Sequence, residues 1–487
     1  MKRFTCVLAL FMAAGIPRII YACPSGFEVS CGGEGSVGYC VVEVSDGYVA
    51  VGSVTDEYGF MYNLFMIKTA PWPTWPAETL WMRTHEDIPG VGRSIQKIED
   101  GFIIAGYVPD YTDSGGPHVM LVKTDLEGEV LWDNRDIDIS GEGYSVTPTS
   151  DGGYVIAGQS FYRQGELVHD LLLVKTDSVG DTIWTRTYGH ESGNDQGYCI
   201  RETSNGNYVV AGTYGLSESY LGGKLWWMKL NSDGEVIWEN TYGDDIHHNY
   251  RGYSIQETQD GGFIIVGGRV ELTDTLPAHD LLLIKADPTG EVQWNKEYFA
   301  GYMLLERIPF WAEQTTDGGY IVTGYPWMFL KTNADGDMLW TRHHSGYGMD
   351  WPGDVYGHYV TQASDGGYLA AGVDGDCFYL IKADPDGYIW IVDVNEEPPV
   401  PTTPVTHTDW QITASVGRQI VLRYSNCPHG FSASIFDAAG RKVDELHSDL
   451  TQGTITWGEC YGCYGPGVYF IVLTDKEVSV RKVILIR

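Results

Sequence analysis

The sequence predicts an all-β protein, a seven-bladed β-propeller of four-stranded blades followed by a small immunoglobulin-like β-sandwich. Three observations predict it. A unit of roughly fifty residues recurs seven times, each copy carries two glycine turns between apolar runs of strand length, and a chain rich in Gly, Tyr and Trp (61, 32 and 16 of 487) has no long stretch of helical periodicity.

The units are read from their turns. Seven segments open with Asp or Asn and Gly, then run apolar to a closing glycine: Asp46 to Gly52, Asp100 to Gly106, Asp151 to Gly158, Asn205 to Gly212, Asp260 to Gly267, Asp317 to Gly324 and Asp365 to Gly372. A second apolar run follows, ending mostly in Lys-Thr-Asp or Lys-Ala-Asp, then a glycine turn and a tryptophan. Those tryptophans are Trp81, Trp132, Trp184, Trp238, Trp294, Trp340 and Trp390, with successive gaps of 51, 52, 54, 56, 46 and 50 residues. Each unit therefore predicts four short antiparallel strands, A to D, with tight turns between A and B and between C and D. One such unit is too small to bury both faces of its sheet, so the units must stack, and seven stacked radially make a propeller. The tryptophan in each outer strand is expected to wedge between neighbouring blades.

The Lys175-Thr176-Asp177, Gly180 and Trp184 pattern and its copies resemble the tryptophan-docking motif of quinoprotein-type propellers. The whole array, about residues 35 to 392, is similar to secreted bacterial seven-bladed propellers with DGGYIVAG…LIKTDxxGxxxW repeats. The resemblance implies a fold; it implies no single activity, because propellers host many.

The ends differ in character. Met1-Lys2-Arg3, an apolar run from Phe4 to Ile16 and Ala22 before Cys23 predict a signal peptide over 1–22, with the propeller over 23–391. No later run is long and apolar enough to predict a membrane span. Residues 392–409, with Pro398, Pro399, Pro401 and Pro404, predict a semi-rigid linker. Residues 410–487 predict the sandwich, from alternating β-runs joined by glycine turns. Phe436 to Val443, which contains Asp437, Gly440 and Arg441, together with Gly467-Val468-Tyr469 and the terminal Lys482 to Arg487, resembles the C-terminal sorting domain of type IX secretion cargo. That resemblance implies passage across an outer membrane by the secretion machinery, and a secreted or surface-attached protein.

Charge narrows the partners. With 31 basic against 65 acidic residues the formal net charge is −34, which excludes sequence-independent nucleic-acid binding because a phosphate backbone needs the opposite sign. No cofactor is expected. Calcium is the one ion the acidic turns suggest, at Asn333-Ala-Asp335-Gly336-Asp337 and Asp384-Pro-Asp386-Gly387, where turn chemistry is the competing reading. Eight cysteines remain after the signal peptide, an even number that suits disulfides in an oxidising compartment.

If the A–B and C–D turns share one face, the long, variable B–C and D–A loops share the other, and binding is expected there. The candidate ligand-binding residues on that loop face are Tyr111, Asp113, Tyr162, Asp195, Tyr214, Asp245, Tyr250, Trp351 and Asp354, flat rings and carboxylates suited to a glycan or a protein partner. A glycoside hydrolase or polysaccharide lyase using Asp195, Asp245 and Asp354 is the enzymatic alternative. A structural envelope component is the third reading. The sequence carries no catalytic elbow, metalloprotease helix or phosphate-binding loop.

Overall fold

The computed structural model divides the chain into two compact units, Met1–Val394 and Asn395–Arg487. It describes residues 19–23, 26–31, 36–55, 62–71, 79–109, 116–135, 137, 139–161, 169–189, 193–216, 223–243, 248–271, 279–298, 308–325, 327–343, 355–374 and 377–388 of the first, and 409–412, 416–417, 420–425, 431–437, 442–448, 450–457, 467–473 and 479–485 of the second. Every regular element among them is a strand.

The first unit is a β-propeller of antiparallel sheets. Six have four strands; in five of these, and again read outward in the sixth, the strands follow chain order. The third sheet is representative, with Gly141–Pro148 innermost, then Tyr154–Ser160, Leu171–Thr176 and Thr182–Tyr188 outermost. Each inner strand packs against the inner strand of the next sheet, and the seventh packs against the first, so the sheets close around an axis. The middle strands are buried on both sides, as in Tyr154–Ser160, and their side chains interleave with those of adjacent sheets.

The seventh sheet closes differently from the sequence expectation. Its outer place, which the repeat assigns to the segment carrying Trp390, is held by Gly26–Cys31, paired antiparallel to Cys377–Ala383 in the register Phe27↔Lys382 to Cys31↔Phe378. Ile19–Cys23 pairs outside it. Trp390 lies outside the described residues. The N-terminal strand thus ties the last sheet to the first, a non-local pairing that no local pattern announces.

The repeated residues have visible structural duties. In the turn before the second strand, burial alone would raise the Asp151 carboxyl. Hydrogen bonds from Thr149 Oγ1 (2.5 Å) and the Gly153 N–H (3.0 Å), with Lys175 at 2.9 Å, bring it down to about 2. The same Lys–Asp pair joins turn to third strand at Lys68–Asp46, Lys123–Asp100, Lys285–Asp260, Lys331–Asp317 and Lys382–Asp365, all 2.8 to 3.0 Å. In the C–D turns the carboxylates of Asp125, Asp177, Asp287 and Asp384 each accept backbone N–H groups two and four residues on, which is Asx-turn chemistry. Asn333 does the same, and Asp337 pairs with Lys296 at 2.9 Å.

The tryptophans lie between sheets. At Gly180, whose φ of 89° already favours glycine, a Cβ would sit 2.7 Å from the ring of Trp132. Trp81, Trp184, Trp238, Trp294 and Trp340 meet Gly128, Gly234, Gly290, Gly336 and Gly387 of the following sheet in the same way.

The second unit holds a three-stranded sheet, Asp409–Ile412, Ile420–Ser425 and Gly453–Trp457, and a five-stranded one. Its core contains Ile420, Leu422, Phe431, Ile435, Trp457 and Ile471. The two segments that resemble a sorting motif are neighbours in the larger sheet: Phe431–Asp437 pairs with Gly467–Leu473, with Asp437 opposite Tyr469. Tyr469 is buried edge-on against Trp457, 4.9 Å between centroids. Gly440 and Arg441 lie outside the described residues.

Candidate functional site

The site is built on a backbone irregularity repeated in every inner strand. In Val37–Val44, Val91–Ile98, Gly141–Pro148, Asn194–Glu202, His248–Glu257, Ile308–Gln314 and Val355–Gln362 the pairing register slips immediately after Gly38, Gly92, Gly143, Gly197, Gly252, Pro309 and Gly357, and Asn194–Glu202 carries a second slip after Asn194. The extra residue of each bulge is Tyr39, Arg93, Tyr144, Tyr198, Tyr253, Phe310 or His358. A bulge leaves its residue out of the ladder and re-aims its side chain. Here the seven side chains meet one another around the axis.

The circuit is complete. Arg93 lies 4.1 Å from the Tyr39 ring and 5.7 Å from that of Tyr144. Tyr144 stacks on Tyr198 at 5.5 Å, Tyr198 meets Tyr253 at 5.4 Å, and Tyr253 meets Phe310 at 5.6 Å. Phe310 contacts His358 at 5.3 Å, and His358 returns to Tyr39 at 4.9 Å. These are aromatic and cation–π contact distances, so the seven side chains form a continuous ring, the floor, around the channel. Burial, aided by the Arg93 charge and opposed by an Nδ1–H bond to the Gly38 carbonyl (2.9 Å), holds His358 down to about 4, so it is neutral at ordinary pH.

Beneath the floor a second set of side chains meets. Trp311 packs against three core clusters, one shared by the first, second and seventh sheets, one by the fourth and fifth, and one by the sixth and seventh, with Tyr359 at 4.6 Å and the Arg201 guanidinium at 4.7 Å. Arg201 also donates to Thr147 Oγ1 (3.3 Å) and the Ile200 carbonyl (3.0 Å). Burial pushes the nearby Glu313 carboxyl up to about 7, against a hydrogen bond from Thr361 and the Arg201 charge. Cys40 and Cys199 are free thiols at this level, bonded to the Ile95 and Ile255 carbonyls, so neither serves the expected disulfides. Burial raises Cys40 to about 11.

On the loop side of the floor the mouth has two unlike sectors. Tyr356 stacks against Tyr325 (4.6 Å) and lies nearly parallel to His358 (7°, 6.1 Å), an aromatic platform. Elsewhere on the circuit a chain of donors runs one way. Tyr198 Oη donates to Gln196 Oε1, Gln196 Nε2 to Gln159 Oε1 (2.5 Å), and Gln159 Nε2 to Glu142 Oε2 (3.1 Å), which Tyr144 Oη also reaches. Tyr107, from the second sheet, lies 5.5 Å from Arg93, and burial raises its hydroxyl above the ordinary value.

The sequence-predicted contacts fare differently. Asp195 is fully buried and its carboxylate accepts the Gly215 N–H at 2.6 Å, so it supports a loop and is not open to a ligand. Tyr250 is buried too, edge-on to Tyr242 at 5.7 Å. Tyr214 packs edge-on against Trp226 at 5.2 Å. Tyr111, Asp113, Tyr162, Asp245, Trp351 and Asp354 lie outside the described residues. Of the three carboxylates assigned to an enzyme, the one described is thus occupied structurally, and no group of three or more His, Cys, Asp and Glu suited to a metal occurs among the described residues. The ring and the Glu142 chain were not anticipated. Their signal is the Gly-Tyr, Gly-Arg or Gly-His dipeptide early in six of the seven inner strands.

No protein-family model and no curated protein matches this chain. Among solved structures it is similar to Sqt1 from Chaetomium thermophilum (TM-score 0.43, 10% identity, 72% of this chain and 97% of that one). It is similar also to YCF48 from Cyanidioschyzon merolae (0.41, 10%, 73% and 97%). A third is PorZ, described as a surface component of the type IX secretion system of Porphyromonas gingivalis (0.34, 12%, 96% and 70%).

Proposed function

We propose that this protein is a secreted or cell-surface, non-catalytic binding propeller that holds a glycan at the loop-side mouth of its axis. The observation that carries this reading is the pairing of an aromatic platform, Tyr325 and Tyr356, with a directed amide–carboxylate chain ending on Glu142, both beside one ring of inner-strand side chains. A sugar offers an apolar ring face to the first and hydroxyl donors to the second. Stacking contributes about 0.5–1.5 kcal/mol and a hydrogen bond to a charged group about 1.5–3 kcal/mol. The test is a screen of the full chain on immobilised glycans, repeated with Tyr356→Ala and Glu142→Gln. A signal lost in both variants supports the reading; a signal indifferent to both, or none at all, refutes it.

A protein partner is the second reading, favoured by the rim. The residue before the outer-strand tryptophan is apolar and exposed at Leu80 (43%), Leu131 (53%), Ile183 (58%), Ile237 (51%) and Leu339 (56%), whereas Trp294 follows the polar Gln293. Such edges offer backbone pairing as well as apolar contact.

Export through the C-terminal unit belongs to the same proposal. The direct pairing of the two sorting-motif strands supports it, as does the position of Gly26–Cys31, which would survive cleavage after Ala22 and still close the ring. Deleting 410–487 is expected to trap the protein in the periplasm; normal surface delivery of the truncated chain refutes sorting.

A further inference from the structure

We infer that the mouth recognises its ligand end-on, by the terminus of a glycan chain, with Tyr356 and Glu142 fixing the orientation of the last sugar; this rests on the glycan reading above. The floor dictates it. Seven side chains contact their neighbours in a circuit around the axis, and below them Trp311 meets Tyr359 and Arg201, so the passage is narrowed at two successive levels against a threading chain.

The floor is also recessed. The floor residues lie two to five positions inside their strands, from Val37 to Tyr39 at the least and from His248 to Tyr253 at the most. At the ordinary strand rise of about 3.3 Å that places them about 7 to 16 Å below the strand ends. A chain lying flat across the mouth would have to dip to the floor and climb out again. A chain end has only to enter.

The two sectors then orient it. Both donors to Glu142, Gln159 Nε2 and Tyr144 Oη, converge on Oε2, and among the described residues no donor reaches Oε1. We assign Oε1 as the acceptor for a hydroxyl of the terminal sugar, with Tyr356 against its ring face. The donor chain from Tyr198 holds the carboxylate in place, and the neutral His358 beneath adds no charge to repel or attract.

The experiment uses length ladders of cello-, chito-, xylo- and manno-oligosaccharides, each prepared native, with the non-reducing end methylated, and with the reducing end reduced. Isothermal titration of the full chain should give one protein per sugar chain at every length, with affinity levelling off after the first few units. Blocking one of the two ends should weaken binding at least about tenfold. A stoichiometry that rises with chain length while both blocked ladders bind normally overturns end-on recognition and leaves the glycan reading standing. Binding by none of the ladders in any form overturns both.

Discussion

The outermost and innermost strands of this propeller repeat with equal regularity and to opposite effect. In the outer strands one residue type recurs at one place, and each described tryptophan meets the turn glycine of the next sheet. In the inner strands one place recurs with changing chemistry: Tyr39, Arg93, Tyr144, Tyr198, Tyr253, Phe310 and His358 share a bulge position yet supply rings, a cation and an imidazole. Repetition of identity builds a scaffold. Repetition of position with varied identity makes a surface without sevenfold symmetry, which is what a ligand of no such symmetry requires.

The largest expected effect breaks the scaffold side. Trp184→Ala removes a clamp between the third and fourth sheets and should cost about 3–5 kcal/mol in chemical denaturation, as for other large aromatic deletions in packed sites. Ligand binding at low temperature should survive it.

The next sharpens the axis. Glu313 has a folded value of about 7 against an ordinary 4.5, so the folded chain holds an extra proton between those values. Stability from this group is therefore full below pH 4.5 and falls as pH rises to about 7, by no more than about 3 kcal/mol. Denaturation followed across that interval should show a slope that Glu313→Gln flattens; parallel slopes in the two proteins would contradict the assignment.

Asp151→Asn should cost less, about 1–2 kcal/mol, because Lys175 is buried while its partner is largely exposed. The fourth sheet already tolerates the substitution, with Asn205 in the turn and Lys229 lying 5.5 Å from the Phe263 ring. The smallest effect belongs to Tyr198→Phe, which deletes one hydroxyl at the head of the donor chain. Its melting point should stay within a few degrees of the parent, while glycan affinity falls.

Much of the architecture was legible because its signals are local. Turn glycines, Asx aspartates and alternating apolar runs lie within a few residues of one another, and Trp184 is recognisable by its spacing from Lys175. The closing strand was not legible, since Gly26–Cys31 pairs with residues some 350 positions away and the segment around Trp390 reads just as well. The inward turn of two loop candidates was not legible for a related reason. Aromatic and acidic residues in long loops attract attention, yet Asp195 and Tyr250 turned inward to satisfy loop backbone and packing. The aromatic residues after glycine in the inner strands read as ordinary strand composition, and only the repeated bulge turns them to the axis.

The most direct test sets the two regions against each other in one titration. Glycan binding and thermal unfolding are measured side by side for Glu142→Gln, Tyr356→Ala and Trp184→Ala in the full chain. The prediction is a clean separation: the two mouth variants lose affinity and keep the parent's melting temperature within a few degrees, and the clamp variant melts markedly lower and still binds. Mouth variants that bind like the parent, or a clamp variant that loses binding while still folded, would contradict the division between scaffold and site.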